Sequence, residues 1–380
     1  MPDTIKILIT GDFYPGNRIE HEIKEKKYEE IFNDFLPVIK SCAIAVTNLE
    51  APLTNNKKSI TKTGPAIRGI PETGRALRYA GFNLVTLANN HIMDFGEQGL
   101  KDTLDILKQN SIEYIGAGEN IGEASKILIK KINDKKIAFL NFAENEFSTT
   151  NGNFPGANPL DLISNYKLIQ EAKDNADYIF VIVHGGHELY NLPSPEMKRR
   201  YRFFIDAGAS AVIGHHTHCF SGYEIYKNAP IFYSLGNFLF DNGKADHSSW
   251  NEGFAVQFLL SDNLKFKLIP YYQNNQNSGL RLLNDDQEKQ FFNKVEVLNK
   301  KIADDNVLRS EFEKFILQRK NLYSSYLEPY KNRYLHFLRN RGLFPSLLSY
   351  KKKKLLLNLI RCESHREAVI ELLKNENSNS

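Results

Sequence analysis

The sequence predicts an α/β protein built around a mostly parallel β-sheet and followed by a helical C-terminal region. Short apolar runs alternate with stretches of helical period through the first two-thirds of the chain, an order typical of βαβ units. The runs are nearly continuous in apolar and β-branched residues, as expected for strands buried on both faces. After about residue 275 the sequence becomes helix-like and rich in Lys and Arg. We therefore predict a main domain over residues 1–275 and a basic helical region over residues 280–380.

Seven apolar runs provide the predicted strands of the main domain. They are Lys6–Thr10, Ala43–Thr47, Leu84–Ala88, Ile137–Phe142, Tyr178–Val183, Ala209–Ile213 and Ile231–Leu235. A helix is predicted over Glu97–Gln109, because three leucines at helical spacing fall on one of its faces. Alternation in the segment GFAVQFLL predicts further strands within residues 250–272. From residue 284 onward the pattern is helical.

Composition and cysteine content indicate a globular protein of a reducing compartment. Hydrophobic residues make up 42% of the chain and charged residues 25%, which is ordinary for globular proteins. The first residues, MPDTIKILITGDF, lack the features of a signal peptide, and no apolar run approaches the roughly 20 residues that span a bilayer. Cys42, Cys219 and Cys362 are far apart and odd in number, which argues against a disulfide framework. We therefore expect a cytoplasmic protein.

Charge is distributed unevenly between the two predicted regions. Residues 1–279 hold 29 Lys and Arg against 32 Asp and Glu, a net charge of −3. Residues 280–380 hold 20 against 13, a net charge of +7. Such an asymmetry indicates that the two regions face different partners or surfaces.

Polar side chains follow five of the predicted strands. They are Asp12 after the first strand, Glu50 after the second, Asn90 and His91 after the third, His184 after the fifth, and His215, His216 and His218 after the sixth. Ligands of open α/β sheets bind outside the carboxyl ends of the strands, so these side chains can converge at one rim. Taken singly, Asp12 could instead cap a helix, and Asn89 or Asn90 could form a turn.

The chemical types of these side chains indicate a metal site. Carboxylate oxygens together with neutral imidazoles suit Mn, Fe or Zn better than Ca or Mg. We expect one or two divalent transition metals, since a pair of ions can clamp a phosphoryl group and generate a hydroxide nucleophile. His216 and His218 would point the same way on an extended segment, which favours ligation of a shared centre.

Six motifs resemble one family of metal-dependent enzymes. In chain order, over residues 5–255, the segments GDF, NLEAPLT, LANNHIMDFG, VIVHGGHE, VIGHHTH and YSLGNFLFD resemble the CapA-type branch (poly-γ-glutamate and capsule synthesis) of the calcineurin-like metallophosphoesterases. The resemblance implies a four-layer αββα sandwich with a metal site at the strand ends. The helical region predicted from the sequence pattern lies beyond the matched residues as a C-terminal appendage.

The resemblance also implies roles for individual residues. It assigns metal ligation to six of them, with Glu50 as the bridging carboxylate: Asp12, Glu50, Asn90, His184, His216 and His218. It gives His91 a catalytic role at the phosphate or the leaving group. Two positions depart from the family pattern. Tyr14 stands where a His is usual, so one metal would be short of a ligand, and Gly185 stands where a Trp is common, which would open the pocket.

Further residues are candidates for the same site. Asp94 either orients His91, as a second catalytic residue, or caps the helix that begins near Gly96. The substrate-binding candidates share a position near the motifs and are Lys62, Arg68, His187, Glu188, His215 and Asn237. For these residues the alternatives are ordinary surface charges, turn residues or, for His215, packing.

The C-terminal stretch YKKKKLLLNLIRCESHREAVIELL combines four lysines with an amphipathic helical pattern. A helix of this kind can lie on an anionic membrane surface or contact a polyanionic substrate. The alternative is a helix packed on its own domain with its lysines in solvent. We expect peripheral contact with the inner face of the membrane and no nucleic-acid partner, and the sequence gives no oligomeric state.

These observations together predict a metal-dependent hydrolase. We expect a phosphoesterase in capsule or surface-polymer biosynthesis, acting on a phosphorylated or polymer-linked small molecule or glycan. One alternative is a metal-dependent ester or amide hydrolase, or a transferase, acting on an acyl polymer. Another is a non-catalytic accessory subunit of a polymer-synthesis complex.

Overall fold

The computed structural model describes residues 4–62, 64–150, 152–242, 249–261, 263–274, 277–328, 332–361 and 365. The chain divides into two compact units, residues 1–309 and residues 310–380. Cys362 and most of the tail beyond it lie outside the described residues. The predicted domain boundary at residues 275–280 stays a prediction.

The described strands all lie in the first unit. They are β1 (Ile5–Tyr14), β2 (Ile44–Leu49), β3 (Leu84–Thr86), β4 (Glu113–Ile115), β5 (Ala117–Gly118), β6 (Leu128–Ile132), β7 (Lys135–Ala143), β8 (Gly156–Ala157), β9 (Tyr178–His184), β10 (Ala211–His215), β11 (Tyr223–Tyr226), β12 (Ala229–Phe232), β13 (Asn237–Phe240), β14 (Glu252–Leu260), β15 (Leu264–Gln273) and β16 (Leu280–Leu282).

The helices occupy the connections and the C-terminal region. They are α1 (Arg18–Lys24), α2 (Tyr28–Phe32), α3 (Leu36–Lys40), α4 (Thr73–Ala80), α5 (Gly96–Gln109), α6 (Ile121–Ala124), α7 (Leu162–Asn175), α8 (Pro195–Ala207), α9 (Asp285–Ala303), α10 (Asp305–Gln318), α11 (Lys320–Tyr326), α12 (Arg333–Asn340) and α13 (Tyr350–Arg361). Among the helices of the described residues, none combines the length and apolarity needed to cross a membrane.

Two large sheets carry the first unit. The first has the order β16-β15-β14-β1-β2-β3-β4, with β13 pairing along the end of β1, and the second has the order β11-β12-β10-β9-β7-β6. Strands β1 to β4 run parallel, as do β7, β9, β10 and β12, whereas β6, β11 and β14 to β16 pair antiparallel. The sheets are therefore parallel at their centres, and several of their outer strands are antiparallel.

The sheets pack on each other, and each is covered by helices on its other face. Between them, the Phe180 ring of β9 meets the Phe258 ring of β14 at 4.8 Å. The apolar side chains of α2 to α5 form one buried cluster with Leu8 and Ala45 of the first sheet, while α7 and α8 pack on the second sheet. This helix–sheet–sheet–helix arrangement confirms the predicted αββα sandwich, and α9 to α13 confirm a helical C-terminal region.

The end of β1 differs from the prediction in a way that matters for the site. The strand continues through Asp12 to Tyr14, because β13 adds itself in parallel to its last residues, with Asp12 opposite Asn237. Gly11 makes this approach possible, since a Cβ at that position would lie 1.9 Å from the carbonyl oxygen of Gly236. Asp12 is therefore held inside a strand, between β2 and β13, instead of in a loop.

Candidate metal centre

Six side chains from five strand ends meet in one buried cluster. Within the described residues they include two overlapping groups able to hold a cation, one of Glu50, His184 and His216 and one of Asp12, Glu50 and His218. Asn90 joins the first group through His184. All six side chains belong to residues that are 8% exposed or less. The strand ends of both sheets thus supply the cluster, while the residues' roles as ligands stay predictions.

The first group surrounds the Nε2 atom of His184. This nitrogen lies 3.0 Å from Oδ1 of Asn90, 3.0 Å from Nδ1 of His216 and 3.6 Å from Oε1 of Glu50. Atoms bound to one ion at about 2.0–2.2 Å lie roughly 3 Å apart when they are neighbours in its coordination shell, so these separations suit a shared cation. The first group therefore offers four donors.

The second group shares the Oε1 atom of Glu50 with the first. Nε2 of His218 is 3.6 Å from Oε1 of Glu50, and its Nδ1 is 3.8 Å from Oδ2 of Asp12. Two donors fix the Asp12 carboxylate: the Asn48 amide donates to Oδ1 at 2.7 Å, and the backbone N–H of His216 donates to Oδ2 at 3.0 Å. The second group offers three donors, one fewer than the first.

Tyr14, at the end of β1, stands where the family pattern has a histidine. Its ring packs on Phe240 with centroids 4.8 Å apart. Burial, with the charge of Glu20, raises the pKa of the Tyr14 phenol. A protonated phenol is a poor replacement for an imidazole ligand, which agrees with the expectation that one metal position is short of a protein donor.

Glu50 provides the observation that tests whether a cation fits here. Both of its carboxylate oxygens are buried, and neither has a hydrogen-bond partner among the described residues. Burial, followed by the charge of Asp12, raises the pKa of this carboxyl well above its usual range. An unpaired buried carboxylate is costly, so this position requires a cation between the two groups or a proton. The donor set therefore fits one or two divalent transition metals.

The histidines are suited to ligation because their burial favours the neutral form. Burial lowers the pKa of His184 well below its usual range and lowers that of His216 to about 3, with neighbouring imidazoles adding to both effects. A metal binds the neutral imidazole, so these two residues do not have to lose a proton near neutral pH.

The turn after β10 is not the extended segment that we predicted. The φ angles of His216 and His218 are 91° and 56°, both in the left-handed region. Residues two apart on a strand point the same way, but this turn sends the His216 ring to His184 and the His218 ring to the Asp12 side. The predicted common orientation was wrong, and the two imidazoles enter different groups that share Glu50.

His91 lies beside the cluster and is oriented by Asp94. Nδ1 of His91 is 2.6 Å from Oδ2 of Asp94, which leaves Nε2 as the second functional nitrogen of the ring. Burial lowers the pKa of His91, and the Asp94 carboxylate opposes this. Helix α5 has Phe95 at its N-cap and no side-chain cap hydrogen bond. Of the two alternatives for Asp94, the structure therefore shows the contact with His91.

Lys62 has a different partner from the substrate group that we predicted. Its ammonium is buried and donates to Oδ1 of Asp94 at 2.5 Å, with Nδ1 of His91 at 3.3 Å. The backbone N–H of Ile67 donates to Oδ2 of Asp94 at 2.8 Å. Asp94 thus joins the His91 ring to the chain segments that carry Lys62 and Ile67.

Two predicted substrate contacts are buried parts of the scaffold. His215 is 1% exposed, and its Nε2 lies 2.9 Å from the backbone oxygen of Thr10, which links the two sheets. Asn237 is fully buried, and its Oδ1 is 2.9 Å from Nδ1 of His218. The predicted substrate role of His215 stays a prediction, and its observed contact is with the backbone of β1. Asn237 orients a candidate ligand instead.

The other predicted substrate contacts lie around the cluster. Arg68 is half-buried, donates to the backbone oxygen of Thr54 at 2.7 Å and lies over the Phe95 ring. His187 and Glu188 follow β9, close enough for their charges to act on His216 and Glu50 respectively. Their contact with substrate stays a prediction.

Two features of the site were not predicted. Asn48 donates from Nδ2 to Asp12 and lies 3.1 Å from Nδ1 of His184, so it links the two groups. Trp250, the one Trp of the sequence, packs against the His218 ring at 4.8 Å. Asn48 could have been found from the motif that contains Glu50, but Trp250 lies between strands with no periodic signal.

Gly185 does not open the pocket as expected. A Cβ at this position would lie 2.5 Å from Cγ of Glu144. Glu144 also accepts a hydrogen bond from the backbone N–H of Gly186 at 3.1 Å. The space that a larger side chain would take is therefore filled by the chain following β7.

Residues 6–242 match the family described as "Bacterial capsule synthesis protein PGA_cap". The chain belongs to this family. It is 32% identical over 270 residues to the capsule biosynthesis protein CapA of Bacillus anthracis, covering 69% of this chain and 65% of that protein. It is 34% identical over 266 residues to the PGA biosynthesis protein CapA of Bacillus subtilis (strain 168), covering 69% of each. The predicted CapA-type assignment is thus confirmed.

Two solved structures align with this chain at low sequence identity. A hypothetical protein from Thermus thermophilus aligns with a TM-score of 0.45 at 15% identity, over 70% of this chain and 99% of that one. A putative 5'-nucleotidase from Staphylococcus aureus, in complex with alpha-ketoglutarate, aligns with a TM-score of 0.43 at 14% identity, over 77% and 58%.

Proposed function

We propose that this PGA_cap chain is a metal-dependent phosphoesterase that acts in the synthesis of a capsule or another surface polymer. The observation that carries the proposal is the pair of donor groups sharing Glu50, whose oxygens have no other hydrogen-bond partner among the described residues. A divalent metal held there supplies Lewis-acid activation of the phosphoryl group and of a water nucleophile. Family membership supports the biosynthetic context.

The residues of the chain have three roles in the proposed reaction: metal ligation, proton donation and orientation of the ligands. Asp12, Glu50 and Asn90 supply oxygen donors, and three histidines supply nitrogen donors to the same cluster. His91 is held by Asp94 through Nδ1 and follows Asn90 in the chain, and its Nε2 is the nitrogen that would protonate a departing alkoxide. The Asn48 and Asn237 amides keep the imidazoles in the required orientation.

The test uses the purified full-length chain and two measurements. Metal content is determined by elemental analysis after dialysis, and turnover is measured on bis(4-nitrophenyl) phosphate and on 4-nitrophenyl acetate. We expect bound Mn, Fe or Zn and turnover of the phosphodiester, with both lost in Glu50→Gln. The matched control is Glu113→Gln, which removes a surface carboxylate paired with Lys130 and should change neither quantity.

The same experiment separates the alternatives. Metal binding with turnover of the acetate ester alone would indicate that the chain is an acyl hydrolase and not a phosphoesterase. Bound metal without turnover of either substrate would favour a non-catalytic accessory subunit. A relative from Mycobacterium tuberculosis, 26% identical over 244 residues, is named "probable polyglutamine synthesis accessory protein". Either result would contradict the proposed activity.

A further inference from the structure

Residues 332–361 form a segment with an unusual charge balance. It contains eight Lys and Arg residues and no Asp or Glu. The basic residues are Arg333, Arg339, Arg341, Lys351, Lys352, Lys353, Lys354 and Arg361. Arg339 is buried and donates to Glu328, which lies outside these residues. The other seven basic residues have no acidic residue within the same stretch of sequence to offset their charge. We call residues 332–361 the basic segment.

The basic segment also exposes large apolar side chains. Eight of the 22 large apolar residues that are exposed in the described chain lie within it. They are Tyr334, Phe337, Leu343, Leu347, Tyr350, Leu355, Leu357 and Ile360, between 46% and 76% exposed. Such a concentration is rare on a surface in contact with water alone and marks an interaction site.

Apolar and cationic side chains are interleaved along the segment. Lys351 to Lys354 are exposed at the start of α13, directly before the exposed leucines of the same helix. The guanidinium of Arg341 lies 3.5 Å from the Phe337 ring centre, and the ammonium of Lys354 lies 5.4 Å from that of Tyr350. The alternative of a helix whose apolar face packs on its own domain is not what these described residues show.

We propose that the basic segment binds the surface of a bilayer that contains anionic lipids. Lysines attract an anionic surface, exposed leucines insert at the boundary of headgroups and acyl chains, and aromatic rings suit that boundary. The segment supplies all three within 30 residues, and its charge complements such a surface. This inference does not rest on the proposed enzymatic activity.

Other occupants fit the segment less well. A second copy of the chain would bring two runs of four lysines together, which like-charge repulsion opposes. Nucleic acid would match the charge of the segment. However, phosphates bind cations and bases stack on aromatic rings, so a nucleic acid would leave the exposed leucines without a partner. An anionic bilayer is the partner that satisfies both the charges and the apolar side chains.

The test is flotation of the full-length chain with lipid vesicles. One set is made of phosphatidylcholine and the other of phosphatidylcholine with phosphatidylglycerol. We expect flotation with the anionic vesicles only, weakening as salt increases. Replacing Lys351 to Lys354 by Gln should lower the partition coefficient by about fivefold per lysine, roughly 10²–10³-fold in total.

A second variant tests the apolar contribution. Leu355→Ser, Leu357→Ser and Ile360→Ser together should lower partitioning on the order of tenfold or more, because inserted methylene groups are lost. All three residues are exposed, so the fold should persist. The matched controls remove four exposed lysines elsewhere (Lys57, Lys58, Lys101 and Lys108, each to Gln) or three exposed isoleucines (Ile129, Ile163 and Ile225, each to Ser).

Each remaining outcome decides against the proposal. Absence of flotation with anionic vesicles overturns it, as does an equal loss in the control variants. Tighter binding to a mixed-sequence RNA than to the vesicles, unaffected by the leucine changes, assigns the segment to nucleic acid. Self-association that disappears in the leucine variant, without flotation, assigns it to a second copy.

Discussion

Two asparagine amides hold the imidazoles of the candidate metal centre in place. The Asn237 Oδ1 lies 2.9 Å from Nδ1 of His218, and its Nδ2 donates to the His218 and Trp250 backbone oxygens at 3.2 Å each. This set of contacts makes Nδ1 of His218 the donor and directs Nε2 toward Glu50. The contact of Asn48 has the opposite direction, since its Nδ2, a donor, lies 3.1 Å from Nδ1 of His184. Removal of a residue that hydrogen-bonds to a metal ligand commonly lowers metal affinity by about 10–100-fold.

We therefore expect Asn237→Ala to weaken metal binding by about 10–100-fold at the Asp12–Glu50–His218 group. The group around His184 should keep its metal, since its four donors do not contact Asn237. The measurement is a metal titration followed by dialysis and elemental analysis. Asn55→Ala, at an exposed position, is the matched control. Equal loss from both groups would show that Asn237 supports the fold and not one ligand.

Substitutions of His216 and His91 should have different effects, the first on metal content and the second on the catalytic rate. His216→Ala removes a donor 3.0 Å from Nε2 of His184, so metal content should fall. His91→Ala removes a side chain beside the cluster and should keep the metal while lowering the rate by about 10²–10⁴-fold, as for a lost general acid. Elemental analysis and turnover of the phosphodiester give the two quantities. His21→Ala, at an exposed position, is the control.

For individual residues, the sequence predicted which side chains come together more accurately than it predicted how those side chains are oriented. Alternation of strands and helices predicted that Asp12, Glu50 and His184 follow strands. It indicated one sheet, whereas β1 and β2 lie in the first sheet and β9 lies in the second. The left-handed turn that separates His216 from His218 was not predictable, because neither residue is Gly or Asn and only tertiary contacts hold that backbone. Asn237 was predicted near the site as a substrate contact. Its contact with His218 was not predicted, since β13 joins β1 from a distant part of the chain.

Among the elements, the loop of residues 54–69 depends on one buried ion pair. Lys62 and Asp94 have side chains 4% and 0% exposed, and Asp94 also binds the backbone of Ile67. Removing one partner of a buried pair leaves the other charge without compensation, at about 3–5 kcal/mol. The loop and the start of α5 are thus coupled through Asp94.

Lys62→Met should therefore lower the free energy of unfolding by about 3–5 kcal/mol. Adding Asp94→Asn should restore part of the loss, because the unpaired charge is then absent. Denaturant unfolding of the two single variants and the double variant gives the coupling, with Lys58→Met at an exposed position as the control. Additive losses in the double variant would mean that the pair does not fasten the loop.

Element types were largely predictable, and element ends were not. All seven predicted strands contain observed strand residues, because continuous apolar runs identify strands buried between layers. Strands such as β4 and β13 are only three or four residues long and give too short a pattern. Strand pairing decided where β1 ends, and pairing is not contained in local sequence.

For the whole molecule, the second compact unit should respond to acid through Glu328. Burial would raise the pKa of this carboxyl, but hydrogen bonds from the Leu347 backbone, Arg339 and Ser346 dominate and lower it from 4.5 to about 2. A carboxyl with a depressed pKa stabilises the fold fully above its unfolded value. That contribution is lost as the pH falls from about 4.5 toward about 2.

We expect Glu328→Gln to lower the stability of α12 at pH 7 and to lessen its further loss between pH 4.5 and pH 2. Hydrogen exchange of the α12 amides, corrected for the intrinsic rate at each pH, measures this. The control is Glu313→Gln, an exposed carboxylate of α10. If wild type and Glu328→Gln lost protection in parallel as the pH fell, the Arg339–Glu328 contact would not stabilise this unit.

The most direct test of the metal centre is anomalous scattering from crystals of the full-length chain grown with Mn²⁺. The account predicts a peak within about 2.0–2.2 Å of the nearest atoms of Glu50, His184 and His216. A second peak, of equal or lower occupancy, should lie between Glu50 and the Asp12–His218 side, where one donor fewer is available. Density confined to other parts of the chain, with these side chains placed as described here and no peak beside Glu50, would contradict it.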